Sequence, residues 1–177
     1  MSEEKKAAPE SGGKKKAPPV SAFDAALRYL SSSPRTEKET REKLRAKGYS
    51  RADIDEAVRK LKTYRYIDDA KYAADFAEYN SGKLGRKKML FKLVTEKGVA
   101  RETAENAVAD AFSEDAELEA ALAAAKKFVA AKRITERREL PKVGAFLYSR
   151  GYGREIADSV ISGLSDSLSE NGGDEFR

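Results

Sequence analysis

The stretch "YIDDAKYAADF", residues 66–76, sets two carboxylates, Asp68 and Asp69, side by side ahead of an alanine-rich run. Paired carboxylates can move protons or hold a metal. Adjacent residues on a helix do not face each other, however, so this pair is poorly placed to share a proton or clamp an ion. The same pair is well placed to open a helix. One aspartate can accept backbone N–H groups at the cap, and the other can sit in the positive field of the first turn. Tyr66 and Ile67 before them and Tyr72 behind supply apolar packing where the chain enters the helix. The wider inventory agrees. The 177 residues contain no histidine, cysteine or tryptophan, which removes the commonest general base, the commonest metal ligand, thiolate sites and disulfides. "SGGKKK" and "GKLGRKK" lack phosphate-loop spacing and follow no strand. Asp53, Asp55 and Glu56 lack calcium-loop spacing. No catalytic residue, no metal and no cofactor is expected, and the chain is read as a non-enzyme.

Binding is the alternative. A net charge of +5 and a pI near 9.2 favour an anionic partner such as nucleic acid. Two basic groups are the candidates for a partner or DNA surface. "GRKKM" places Arg86, Lys87 and Lys88 at a helix start, where cations oppose the helix dipole. "AAKKFVAAKRITERRE" holds Lys126, Lys127, Lys132, Arg133, Arg137 and Arg138. A third group in "REKLRAKG" (Arg41, Lys43, Arg45, Lys47) alternates with acids and apolar anchors and reads as a solvated face. The tyrosines at 64, 66, 72 and 79 read by spacing as core or half-core. Base stacking would need exposed rings on a basic face.

The elements that carry these groups are helical. Period-2 alternation and hairpin signals are missing, and turn residues punctuate segments of helical periodicity. "AFDAALRYLSS" is a helix stopped by Pro34. "TEKETREKLRAKG" opens on a capping box, Thr36 with Glu39, and closes at Gly48. "SRADIDEAVRKL" starts at a Ser50 cap and shows Ile54, Ala57, Val58 and Leu61 on one face. That unit recurs. Aligned on Gly48, Gly98 and Gly151, the chain repeats apolar positions at Ala57, Ala107 and Val160, at Val58, Val108 and Ile161, and at Leu61, Ala111 and Leu164. The glycines lie 50 and 53 residues apart, a spacing of helical repeats. Each ends a helix whose apolar anchor is Leu44, Val94 or Leu147. With first helices near 22–32, 69–80 and 115–132, the expectation is all-α: three tandem three-helix repeats, 21–63, 64–113 and 114–165, in an elongated or curved array. Pro141 should start the second helix of the third repeat, after a basic loop or turn from Arg133 to Leu140. Residues 1–20 and 166–177 read as disordered tails, the first Lys/Pro/Gly-rich and the second acidic.

With these units in place, "YRYIDDAKYAADFAEYNSGKLGRKKMLFKLVTEKGV" resembles the RecX family of bacterial recombination regulators. The "IDDAKYA" run, the basic stretch after Gly85 and the "EKGV" helix end carry the resemblance, which covers about residues 22–164. The interval from Gly85 to Gly98 is slightly long for the family, which leaves the register of that helix open by a residue. The N-terminal extension is not part of the family pattern. The resemblance implies a non-enzymatic protein that binds the RecA-type recombinase filament along its groove. It would inhibit ATP hydrolysis, strand exchange and coprotease activity, with direct binding of single- or double-stranded DNA in some members. The alternative is a basic helical DNA-binding protein that does not touch the recombinase. No apolar run approaches the roughly 20 residues of a membrane helix, no secretory signal opens the chain, and no long exposed apolar seam is visible. A cytoplasmic monomer is expected.

Overall fold

The computed structural model describes residues 20–170; of the tails expected at 1–20 and 166–177, residues 1–19 and 171–177 lie outside the described residues. Nine α-helices run through the described residues: α1 Ala22–Leu30, α2 Glu37–Ala46, α3 Arg51–Thr63, α4 Asp69–Asn80, α5 Arg86–Phe91, α6 Arg101–Ala111, α7 Glu114–Lys132, α8 Leu140–Ser149 and α9 Arg154–Glu170. The capping and turn residues sit where the backbone needs them. Thr36 and Glu39 form the reciprocal capping box, and the Ser50 hydroxyl accepts the Asp53 N–H. Pro141 lies in the first turn of α8, preceded by a short 3₁₀ turn at Arg137–Glu139. One boundary differs. The α9 helix continues through 166–170, which composition alone assigns to a tail, because Leu164 and Leu168 still reach the core of the third repeat.

Gly48, Gly98 and Gly151 all adopt left-handed backbone, with φ of 87°, 73° and 88°. A β-carbon is disfavoured there. After each, the next amide returns to a carbonyl of the preceding helix: Tyr49 to Leu44, Val99 to Leu93, Tyr152 to Leu147. The second repeat breaks the pattern by one residue. Its buried anchor is Leu93, while Val94 is only half-buried. The cause is a single π-turn, Lys92–Glu96, that continues α5, with the Lys97 N–H reaching the Lys92 carbonyl. This turn absorbs the extra residue between Gly85 and Gly98 and keeps the glycine in register.

Three separate apolar clusters follow. The first gathers Ala26, Leu44, Val58 and Leu61, the second Ala77, Met89, Leu93 and Ala104, the third Ala125, Val143, Leu147 and Ala157. Every helix pair in extensive contact belongs to one repeat: α1 with α3, α4 with α6, α7 with α9, and the second helix of each against its own neighbours. Hydrophobic burial therefore acts within repeats. What joins them is polar.

Candidate functional site

The relative placement of the basic groups depends on two junctions, and both follow one rule. The first residue of a repeat's second helix has a backbone N–H with no partner inside its helix. In each case the next repeat's first helix supplies a carboxylate. The Glu37 N–H donates to Asp69 Oδ1 at 2.9 Å, and the Arg86 N–H donates to Glu117 Oε1 at 3.0 Å. Asp69 lies on the face of α4 that carries Ala73 and Ala77, and Glu117 on the face of α7 that carries Ala121 and Ala125, all four fully buried. The spacing i, i+4, i+8 puts each acid at the end of an apolar stripe.

The paired aspartates thus have separate tasks. Asp68 caps its own helix by accepting the Lys71 N–H at 2.9 Å. Asp69 caps α2 of the preceding repeat. Burial pushes the Asp69 carboxyl above its ordinary value, against the pull of the Glu37 amide. Around it, the Thr36 hydroxyl donates to the Lys97 carbonyl at 2.7 Å, Lys38 Nζ donates to the Thr95 carbonyl at 2.8 Å, and Lys97 pairs with Glu39 at 2.6 Å. Desolvation lifts the Glu39 carboxyl, but the Lys97 and Thr36 hydrogen bonds outweigh it and hold the group below its usual value. Glu37 is likewise held low, its desolvation outweighed by Lys62 and Arg41.

The second junction uses a different set of groups. Glu117 has a side chain only 8% exposed and pairs with Arg86 Nε at 2.8 Å. Arg86 also donates to the Phe112 carbonyl at 3.1 Å. Gly85 N donates to the Arg150 carbonyl, and Arg150 returns a bond to the Lys83 carbonyl. A β-carbon on Gly85 would meet the Gly151 backbone at 2.5 Å. Here main chain lies directly on main chain.

These contacts sort the nine candidate cations. Arg86 is bound into the junction, and Lys88 Nζ donates to the Ser149 carbonyl at 2.7 Å. Lys87 is exposed. In the other group, Arg137 donates to the Ser165 carbonyl and Arg138 pairs with Glu136 at 2.6 Å. Lys126, Lys127, Lys132 and Arg133 are exposed, and Arg133 ends α7 with a left-handed φ of 52°. Lys127 lines one cleft with Lys83 and Arg150, two cations outside the set read from runs of charge. The tyrosines depart from expectation: Tyr64, Tyr66 and Tyr79 are exposed, and only Tyr72 packs against a core. Their spacing placed them near apolar stripes, but Tyr64 and Tyr66 lie in the turn between repeats, where Tyr64 meets the edge of Phe23 and both rings stay exposed. Among the described residues no group of acids could hold a metal ion, and no helix is long and apolar enough to cross a membrane.

Comparison with known proteins adds the lineage. A family model described as "RecX, first three-helix domain" matches residues 22–61. A regulatory protein RecX from Vibrio parahaemolyticus is 34% identical over 149 residues, covering 84% of this chain and 95% of the relative. One from Clostridium botulinum is 33% identical over 145 residues, covering 80% of this chain and 68% of the relative. The chain belongs to the RecX family. The crystal structure of RecX from Lactobacillus salivarius superimposes with a TM-score of 0.71 at 27% identity, covering 81% of this chain and 94% of that one. An alignment of 149 residues cannot fit within two repeats, so the RecX likeness reaches all three. These relatives bear the name of regulatory proteins.

Proposed function

We infer that this RecX-family chain regulates a RecA-type recombinase by binding its nucleoprotein filament and inhibiting ATP hydrolysis and strand exchange, within DNA repair and recombination. The observation that carries the reading is family membership through all three repeats. A row of separately cored units, joined by short polar contacts, suits a partner that is itself a repeat of subunits. Several weak contacts along such a lattice give avidity without any one tight site. Lys87 and the exposed Lys126, Lys127, Lys132 and Arg133 are the groups we assign to the filament or its DNA. Arg86, Lys88, Arg137 and Arg138, engaged within the protein, hold the surface in place beside them. The chain acts as a monomer in the cytoplasm on this reading, without catalysis and without a cofactor.

The test is single-strand-dependent ATP hydrolysis by the recombinase, titrated with this protein. Hydrolysis should fall, and a variant with Lys126, Lys127, Lys132 and Arg133 changed to glutamate should inhibit about tenfold less well while keeping its helical circular dichroism. Unchanged hydrolysis with wild-type protein overturns the reading. The exposed cations favour the second reading, direct DNA binding without recombinase contact. In that case inhibition would appear only when the strand is saturated with protein.

A further inference from the structure

The junction between the second and third repeats leaves a cleft of about 310 Å³ beside its main-chain contact. That size lies at the small end of ligand-binding clefts. Lys83, Lys127 and Arg150 line it, with Phe128 and Phe146 as its apolar wall and no carboxylate among the lining residues. The rings are ordered against each other: Phe128 stacks on Phe146 at 4.3 Å, and the Arg150 guanidinium lies 4.9 Å from the Phe146 centroid. Lys83 Nζ sits 3.3 Å from the centroid of Tyr79, a ring 73% exposed. Lys83 and Lys127 form no ion pair among the described residues.

The space between the end of α1 and α4 is the counterpart at the first junction. It is lined by Arg35, Arg65 and Lys71, but also by Asp68 and Asp75. Lys71 is bound to Asp75 at 2.9 Å. The two acids offset positive charge there, and no carboxylate lines the second cleft. Three cations with no carboxylate among the lining residues, Arg150 held by the Lys83 carbonyl and the Phe146 ring, raise the local potential for an anion in this concave, partly apolar space.

We propose that this cleft binds a segment of single-stranded nucleic acid, with a backbone phosphate held by Lys83, Lys127 and Arg150 and a base stacked, just outside the cleft, on the face of Tyr79 that Lys83 does not cover. The exposed ring beside an ammonium decides for a strand over an acidic peptide, because a base gains from stacking on it and a carboxylate does not. A duplex is too stiff to turn one phosphate and one base into so small a cleft, whereas a single strand is not. The proposal deepens the filament reading by naming a strand contact, yet it can be tested with the recombinase absent.

The experiment follows fluorescence anisotropy of a labelled oligothymidylate of about 20 nucleotides with the full-length protein alone. The double variant Lys83→Glu with Lys127→Glu should weaken binding at least about tenfold and lower the steepness of its salt dependence by more than one unit. Tyr79→Ala should weaken it about tenfold. The charge-matched double variant Arg65→Glu with Lys71→Glu at the first junction should change binding by no more than about threefold, the effect of net charge alone. Equal losses from both double variants overturn the site. So does failure of the wild-type protein to bind the strand, or polyglutamate displacing the strand at matched charge. Because strand binding is read without recombinase, a protein that binds DNA normally but leaves hydrolysis untouched counts against the function and not against the cleft.

Discussion

The two junctions use the same device with different materials. At the first, Asp69 caps an amide, and the surrounding contacts run mostly through side chains: Thr36, Lys38, Glu39 and Lys97. At the second, Glu117 caps an amide and neutralises a half-buried arginine at the same time, while Gly85 and Gly151 let two main chains meet. Long side chains can readjust and main chains cannot. The first junction should therefore tolerate change, and the second should fail when either its ion pair or its close approach is disturbed. Since each repeat has its own apolar core, these polar contacts govern the register of the array more than the folding of any one unit.

Removing Glu117 should separate the junctions most clearly. Glu117→Ala leaves Arg86 and its amide without their carboxylate and should cost about 3 kcal/mol in denaturant unfolding, the low end for a broken buried pair because Arg86 remains 37% exposed. Asp69→Ala removes a single cap bond from a carboxyl that burial already disfavours, and should cost about 1 kcal/mol. Equal losses would refute the distinction. A double-mutant cycle of Glu117→Ala with Arg86→Ala should return most of the larger loss.

Glycine substitution gives a somewhat smaller contrast. Gly85 is the N-cap of α5 with φ −77°, a value open to any residue, so Gly85→Ala reports the close approach together with a smaller loss of N-cap preference. It should cost about 2 kcal/mol. Gly82 has nothing within 4 Å of a β-carbon, and Gly82→Ala should change stability by less than about 0.5 kcal/mol. A silent Gly85→Ala would mean that the main-chain contact is absent in solution.

Acidification should give the smallest effect, centred on the first junction. Glu37 and Glu39 are held below their ordinary value when folded. The stability they contribute is complete above that ordinary value and is lost as pH falls through their lowered ones. Asp69 has the opposite sign. Folded, it holds its proton more tightly than the unfolded chain does, so acidification through its raised range favours the folded state. Between about pH 6 and about pH 3, Glu39→Gln should flatten the loss of unfolding free energy and Asp69→Asn should steepen it. Unfolding titrations at several pH values read both slopes, and a change in the other direction for either variant contradicts the assignment.

Much of the architecture is legible in the sequence because it rests on local chemistry. Capping at Thr36 and Ser50, the left-handed glycines and the Pro141 start are each fixed by a few neighbouring residues. The junctions are less visible because they join residues far apart in the chain. Glu117 carries a faint signal, an acid on the stripe of Ala121 and Ala125, and Asp69 the same signal above Ala73 and Ala77. The partner amides, at Arg86 and Glu37, leave no mark in composition. The basic groups stand out as runs of charge, but a run does not say which cations are engaged. Arg86 is paired, while Lys83 and Arg150, outside any run, meet Lys127 at the cleft. The anchor at Leu93 in place of Val94 depends on one π-turn, which the long interval from Gly85 hints at without placing.

The most direct measurement of the functional account is the hydrolysis titration carried out at about 50 and about 200 mM salt, with the purified single strand and no recombinase as the binding control. The account predicts that hydrolysis falls at protein levels too low to coat the strand, and does so at both salt concentrations. Loss of hydrolysis only when the strand is saturated, vanishing at the higher salt, would contradict it and leave a plain nucleic-acid-binding protein.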